Sequence, residues 1–159
     1  MASEGTKIDA AAGNRPTRFE AWAYGVAGVG FLLEVLTGFG PELLSGEVAG
    51  WALLAHLLVA PLFIVGLTLV VIVRAERSRF GRADSAAGSG LHSGQKITFW
   101  IGLVLGLVTV SSMLAAMLPV FGYAKQQALI DIHRISALAL VILVVVSAFA
   151  SLATGQAKR

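Results

Sequence analysis

Cysteine is absent from this chain of 159 residues, and charged residues make up only 13% of it. Without cysteine, the chain can form no disulfide, thiolate metal site or cysteine-ligated iron–sulfur cluster. Its charged share is about half that of an average soluble domain, whereas 57% of its residues are hydrophobic. A soluble domain of this length needs more polar surface to cover its core. The composition therefore favours a membrane protein that folds as one unit.

Basic residues slightly outnumber acidic ones, with a formal net charge of +3. They flank apolar runs, which indicates membrane topology and no nucleic-acid partner. Residues 1–18 contain charged and polar side chains and no apolar run, so they are not a signal peptide. We expect a short cytoplasmic arm over residues 1–18 and a cytoplasmic tail over residues 155–159.

Four apolar segments are long enough to cross a bilayer, which takes about 20 residues. They run over about 19–39, 50–73, 97–118 and 128–153. Glycine, proline or basic residues follow each segment, as expected where membrane helices end. Pro61 lies inside the second segment, where a helix bundle tolerates a kink. The sequence therefore predicts an all-α fold, an integral membrane four-helix bundle over residues 19–154.

Lysine and arginine are unevenly distributed between the connections. The N-terminal arm, the connection between the second and third segments, and the tail carry nearly all of them, whereas the other two connections hold only Lys125. Because cytoplasmic loops are enriched in these residues, both termini are expected in the cytoplasm of a bacterium. The loops around 42–50 and 120–127 would then face the outer side of the cytoplasmic (inner) membrane.

Ionisable residues inside membrane segments are functional candidates by default. Glu34, His56, His133 and Arg134 qualify, and Asp131 is borderline. Each histidine lies about six residues from the outer end of its segment, which is roughly 9 Å below the outer boundary. Two imidazoles at equal depth on different helices can ligate one haem iron, so haem b is the predicted cofactor. Alternatively, each histidine only hydrogen-bonds a neighbouring helix.

The other polar candidates have two interpretations each. Arg134 is a partner for a haem propionate, or it forms an ion pair with Glu34 or Asp131, or it extends to the membrane interface. Glu34 is a candidate quinone or proton site, or it neutralises Arg134. His92, in the connection before the third segment, is expected to be solvated. Glycines of the first and third segments make room for a macrocycle or for close helix packing: Gly25, Gly28, Gly30, Gly102 and Gly106.

Several motifs, combined with this topology, resemble the cytochrome b (gamma) subunit of respiratory formate dehydrogenases, within the four-helix bacterial b-type cytochromes. The most specific motif is the run Ser93–Trp100, SGQKITFW, which opens the third segment. Thr37-Gly38 and the surroundings of His56 and His133 also look like the family. The resemblance extends over nearly the whole chain from Arg18 onward.

The resemblance implies haem and electron transfer with quinone. The family holds two haems with four histidines, and His56 and His133 stand at the positions of the outer pair. Ala21 and Ser147 stand where the cytoplasmic pair is expected. The resemblance therefore implies a single haem b near the outer face.

These features together predict a non-catalytic membrane-anchor and electron-transfer subunit of an oxidoreductase complex. It would carry one haem b and pass electrons between a redox partner on the outer (periplasmic) face and the quinone pool. The alternative is a haem-free structural membrane subunit that anchors a respiratory complex. A small transporter is disfavoured, because inverted repeats are lacking and polar residues at mid-membrane depth are scarce.

Overall fold

The computed structural model describes residues 17–46, 49–75 and 93–156. Within these ranges the chain forms four α-helices and no strand: α1 Arg18–Ser45, α2 Gly50–Arg74, α3 Ser93–Ala116 and α4 Tyr123–Gln156. Each helix is long and apolar enough to cross a membrane. The predicted all-α fold with four membrane-spanning helices is therefore confirmed, and the chain is a multi-pass membrane protein.

Some features of the sequence lie outside the described residues. They are the N-terminal arm up to residue 16, residues 76–92 of the connection between the second and third segments, which include His92, and the tail after residue 156.

Helix α1 begins at a capping box. Thr17 Oγ1 accepts a hydrogen bond from the Glu20 amide at 3.2 Å, and the Glu20 carboxylate accepts one from the Thr17 amide at 2.8 Å. Two of the amides that a helix start leaves unpaired are thereby satisfied. The start of α1 is thus encoded locally, just before its first apolar residue.

The end of α1 differs from the sequence-based boundary at residue 39. The helix continues through Pro41 to Ser45, and Gly46 closes it with φ at 78° and an amide hydrogen bond to the Glu42 carbonyl at 2.9 Å. Proline removes a single backbone donor, which a membrane helix tolerates. The left-handed conformation at Gly46 is the stronger stop, because glycine adopts it without steric cost.

The remaining helices also differ from their apolar segments. Helix α3 begins at Ser93, before its segment, and ends at Ala116, before the predicted end at residue 118. Helix α2 runs without interruption through Pro61. Helix α4 begins at Tyr123, before its apolar segment, and the Gly122 carbonyl accepts hydrogen bonds from the amides of Lys125 and Gln126. The polar residues between Tyr123 and the apolar run are compatible with a helix. Apolar boundaries therefore do not by themselves determine where a helix begins or ends.

Helices α1 and α2 pack against each other as an antiparallel pair, here called hairpin 1. Their backbones approach closely at two glycines: a Cβ on Gly66 would lie 2.5 Å from the Ala27 Cα, and a Cβ on Gly30 would lie 3.0 Å from the Phe63 Cα. Small residues allow such contact between membrane helices. Of the two interpretations of Gly30, close packing is the one that hairpin 1 shows.

Helices α3 and α4 form a second antiparallel pair, here called hairpin 2. Gly102 faces Leu143, since a Cβ on Gly102 would lie 3.5 Å from its Cδ2. Thr109 and Ser136 are buried and joined by a hydrogen bond of 2.9 Å between their hydroxyls. Hairpin 2 is therefore held by polar contacts as well as by apolar packing.

Most apolar side chains of the described helices point away from the helix pairs. Ala23 and Leu140 are the buried apolar side chains, whereas Leu58, Ile135 and Phe149, all well inside their helices, are 71%, 70% and 68% exposed. In water such a surface would aggregate, but lipid tails cover it at no cost. The exposure pattern agrees with helices that lie in a bilayer.

Candidate functional site

His56 of α2 lies against one face of α1. Its Nδ1 is 3.0 Å from Glu34 Oε2 and 3.2 Å from Thr37 Oγ1. The His56 and Glu34 side chains are only 17% and 15% exposed. Thr37 and Gly38 follow Glu34 by three and four residues, which is the spacing that places residues on one helix face. A single face of α1 therefore surrounds one edge of the imidazole.

The hydrogen bonds around Thr37 determine which nitrogen of His56 carries the hydrogen. Thr37 Oγ1 lies 2.7 Å from the Leu33 carbonyl oxygen, to which it donates its only hydrogen. Its oxygen can then only accept from His56 Nδ1, and the Glu34 carboxylate also accepts. The Nδ1 of His56 is therefore the protonated nitrogen, and the lone pair of the neutral ring lies on Nε2.

Gly38 allows the imidazole of His56 to approach α1. A Cβ at this position would lie 3.0 Å from His56 Cε1 and 3.3 Å from Nδ1. Those distances are shorter than ordinary carbon contacts, so any side chain at residue 38 would displace the ring. Glycine here thus leaves room for the neighbouring histidine, which a Cβ would push away by a few tenths of an ångström.

His133 of α4 is held by α3 in hairpin 2. Its Nδ1 lies 2.9 Å from the backbone carbonyl oxygen of Thr109. A carbonyl can only accept, so Nδ1 of His133 donates, and the lone pair of the neutral ring again lies on Nε2.

Buried hydroxyls surround the acceptor of His133. Thr109 Oγ1 lies 2.8 Å from the Leu105 carbonyl oxygen and 2.9 Å from Ser136 Oγ, and its single hydrogen is shared between them. Ser136 Oγ donates to the His133 carbonyl at 3.0 Å, and Ser112 Oγ donates to the Thr109 carbonyl at 3.0 Å. The side chains of Thr109, Ser112 and Ser136 are all buried. These buried hydrogen bonds restrain the position of the Thr109 carbonyl and therefore the direction of the imidazole.

The two histidines share one arrangement although they lie in different hairpins. In each, Nδ1 donates to an oxygen on the preceding helix, and Nε2 carries the lone pair. Iron-ligating histidines commonly use this arrangement, in which one nitrogen binds the metal while the other is fixed by an oxygen acceptor. The donor chemistry of both residues therefore fits an axial ligand of haem.

Their positions along the helices are less alike than the apolar segments predict. His56 lies six residues after the beginning of α2 at Gly50, and His133 lies ten residues after the beginning of α4 at Tyr123. His133 lies farther from the beginning of its helix because α4 includes residues 123–127, which precede the apolar segment. Equal depth in the membrane stays a prediction that rests on the apolar boundaries.

Glu34 and Arg134 have contrasting surroundings. Glu34 contacts His56, and its second carboxylate oxygen, Oε1, is buried with no hydrogen-bond partner among the described residues. Arg134 and Asp131 are both exposed on α4. The contact of Glu34 with His56 was not predicted from the sequence. The role of Arg134 toward a propionate stays a prediction.

The two positions where the family's second histidine pair is expected have no ligand chemistry. Ala21 lies in the first turn of α1, and its amide donates to the Thr17 carbonyl. The Ser147 hydroxyl donates to the Leu143 carbonyl of its own helix. Neither side chain offers a nitrogen to iron.

Clusters of three or more His, Asp or Glu side chains are not found within residues 17–46, 49–75 and 93–156. Each hairpin contributes one histidine to the described residues.

Sequence reasoning missed the acceptors of both histidines. The acceptor of His133 is a backbone carbonyl, for which no side chain provides a signal. The contact of His56 with Thr37 and Gly38 could have been predicted from the sequence. The connection between α1 and α2 is short, so Gly38 and His56 lie at nearly equal separations from the turn and face each other in an antiparallel pair. Pairing residues across that connection would have identified the contact.

Comparison of the chain with protein-family models, with curated proteins and with solved structures found no match. The resemblance to the cytochrome b subunit of formate dehydrogenases accordingly stays a prediction.

Proposed function

We propose that this chain is a membrane-anchor and electron-transfer subunit that binds one haem b through His56 and His133. In this role it passes electrons between a redox partner at the outer face and the quinone pool. One observation carries the proposal: each histidine lies in a helix that can span a membrane and has its Nδ1 held by an oxygen acceptor, so that Nε2 carries the lone pair. The remaining subunits of an oxidoreductase complex would supply catalysis.

The residues of this chain would bind and orient the cofactor. His56 and His133 would supply the axial nitrogens, while Glu34, Thr37 and the Thr109 carbonyl hold the rings in place. Bound haem would supply the one-electron chemistry that the chain's side chains lack. Arg134 is proposed as the partner of a propionate. Ala21 and Ser147, which cannot ligate iron, support a single haem.

Glu34 is also proposed to contact a quinone. Its Oε1 is buried and has no donor among the described residues. A carboxylate oxygen in that state lacks one hydrogen bond. A quinol hydroxyl would provide the donor.

The proposed orientation places both termini in the cytoplasm of a bacterium, with the chain in its inner membrane. The connections between α1 and α2 and between α3 and α4 would then face the outer side. A partner subunit would dock there.

The experiment is a reduced-minus-oxidised absorption spectrum of the purified full-length protein, with haem quantified as the pyridine haemochrome. We expect a b-type spectrum and a haem content near one per chain. Both H56A and H133A should abolish the signal, because each removes one axial nitrogen. H92A is the matched control, since it removes the third histidine of the chain and should retain the haem.

Three outcomes would contradict the proposal. Full membrane insertion without haem absorbance would leave the haem-free anchoring subunit as the function. Haem that persists in H56A or H133A would exclude that histidine as a ligand. A haem content near two per chain would contradict the single-haem assignment.

A further inference from the structure

The two proposed iron ligands differ in the charge of the group that holds them. His56 donates its Nδ1 hydrogen to the carboxylate of Glu34 at 3.0 Å, whereas His133 donates to the neutral backbone carbonyl of Thr109 at 2.9 Å. A carboxylate acceptor draws the hydrogen more strongly than a carbonyl does, and charge-assisted bonds are about twice as strong as neutral ones. The two rings are therefore chemically inequivalent.

An anionic acceptor also changes what the imidazole does at its other nitrogen. Pulling the hydrogen from Nδ1 raises electron density on Nε2, so a histidine paired with a carboxylate is a more basic ligand. A more basic ligand favours the ferric over the ferrous state of a bound iron. The low exposure of both side chains, 17% for His56 and 15% for Glu34, limits solvent screening of this effect.

We propose that Glu34 is the positioning residue of the His56 ligand, and that its carboxylate makes His56 a stronger electron donor to iron than His133. Glu34 thereby lowers the reduction potential of the haem. Thr37 provides a second, neutral acceptor at 3.2 Å, and Gly38 leaves the space in which the ring is held. This inference rests on the proposed function, because it requires haem to bind at His56.

The test compares variants of Glu34 in the full-length, haem-loaded protein. The glutamine of E34Q keeps an oxygen acceptor at the same reach but removes the negative charge. We expect E34Q to retain most of its haem and to show a higher midpoint potential in an optical redox titration at one fixed pH. The EPR signal of the ferric haem should shift as well, because the electron donation of one axial ligand changes.

Two further variants separate charge from orientation. E34A removes the acceptor entirely, and we expect its haem content to fall severalfold while its helical circular dichroism is unchanged. E42Q is the matched control: it removes the same charge from the same helix, nearer the helix end at Ser45. E42Q should leave the potential and the EPR signal close to those of the unmodified protein.

The outcomes distinguish this inference from the function on which it rests. Histidine-dependent haem with an unchanged potential in E34Q overturns the role of Glu34 and leaves the proposed function standing. If E34Q binds no haem, the midpoint potential is measured in E34D, whose shorter side chain withdraws the carboxylate from His56 Nδ1. An unchanged potential in E34D also overturns the role of Glu34. Absence of haem from the unmodified protein contradicts the proposed function itself.

Discussion

His56 Nδ1 and Glu34 Oε2 lie 3.0 Å apart across the interface between α2 and α1, and both side chains are largely shielded. Within a membrane segment, each of these groups alone would be costly to bury. Paired, they satisfy part of each other's hydrogen-bonding capacity and determine the tautomer of the ring. Two residues that the sequence identifies separately therefore form one structural unit.

Replacing Gly38 with alanine should displace the imidazole of His56. A Cβ at residue 38 would lie 3.0 Å from His56 Cε1. We expect G38A to lose haem severalfold under the proposed function, with the helical content unchanged by circular dichroism. G25A is the control, because a Cβ at Gly25 meets nothing within 4 Å. Equal haem content in the two variants would show that the ring does not need this space.

The T109V substitution should separate stability from ligand orientation in hairpin 2. It removes the hydroxyl that contacts Ser136 and the Leu105 carbonyl but keeps the backbone carbonyl that accepts from His133. We expect a loss of stability of about 0.6 kcal/mol, the average for interhelical polar contacts in membranes, and retained haem. Stability is measured by unfolding in detergent and haem by its absorbance. Strong haem loss with little change in stability would contradict this assignment.

Close packing in hairpin 1 should depend on Gly66. A Cβ there would lie 2.5 Å from the Ala27 Cα, a distance that forces the two helix backbones apart. We expect G66A to destabilise the protein by about 1–3 kcal/mol, the usual cost of overpacking, in a detergent unfolding titration. G28A adds the same methyl group where nothing lies within 4 Å, and it should unfold like the unmodified protein.

The orientation in the membrane is testable because the chain has no cysteine. Single cysteines can replace Val120, which is 74% exposed between α3 and α4, and Ala86 in the connection before α3. With a membrane-impermeant maleimide added to intact cells, V120C should be labelled and A86C should react only after lysis. The opposite pattern would place both termini outside.

The number of membrane helices could be predicted from the sequence more accurately than the residues at which they begin and end. The four apolar segments predicted four membrane helices, since their length and composition suffice for a bilayer crossing. Helix ends were predicted less well: Pro41 lies inside α1, and Tyr123 begins α4 before its apolar run. Hydrophobicity reports contact with lipid, whereas backbone hydrogen bonding and the conformation of residues such as Gly46 determine where a helix stops.

By itself, the sequence determined the class of this protein. Its scarce charge and long apolar runs require a lipid environment, and any histidine placed within such a run becomes a candidate site. Only the tertiary structure decided what holds those histidines. The pairing of Glu34 with His56 depends on the register between α1 and α2, and the acceptor of His133 is a carbonyl of Thr109 on the neighbouring helix. Such contacts arise from the packing of helices, and the order of residues along one helix does not encode them.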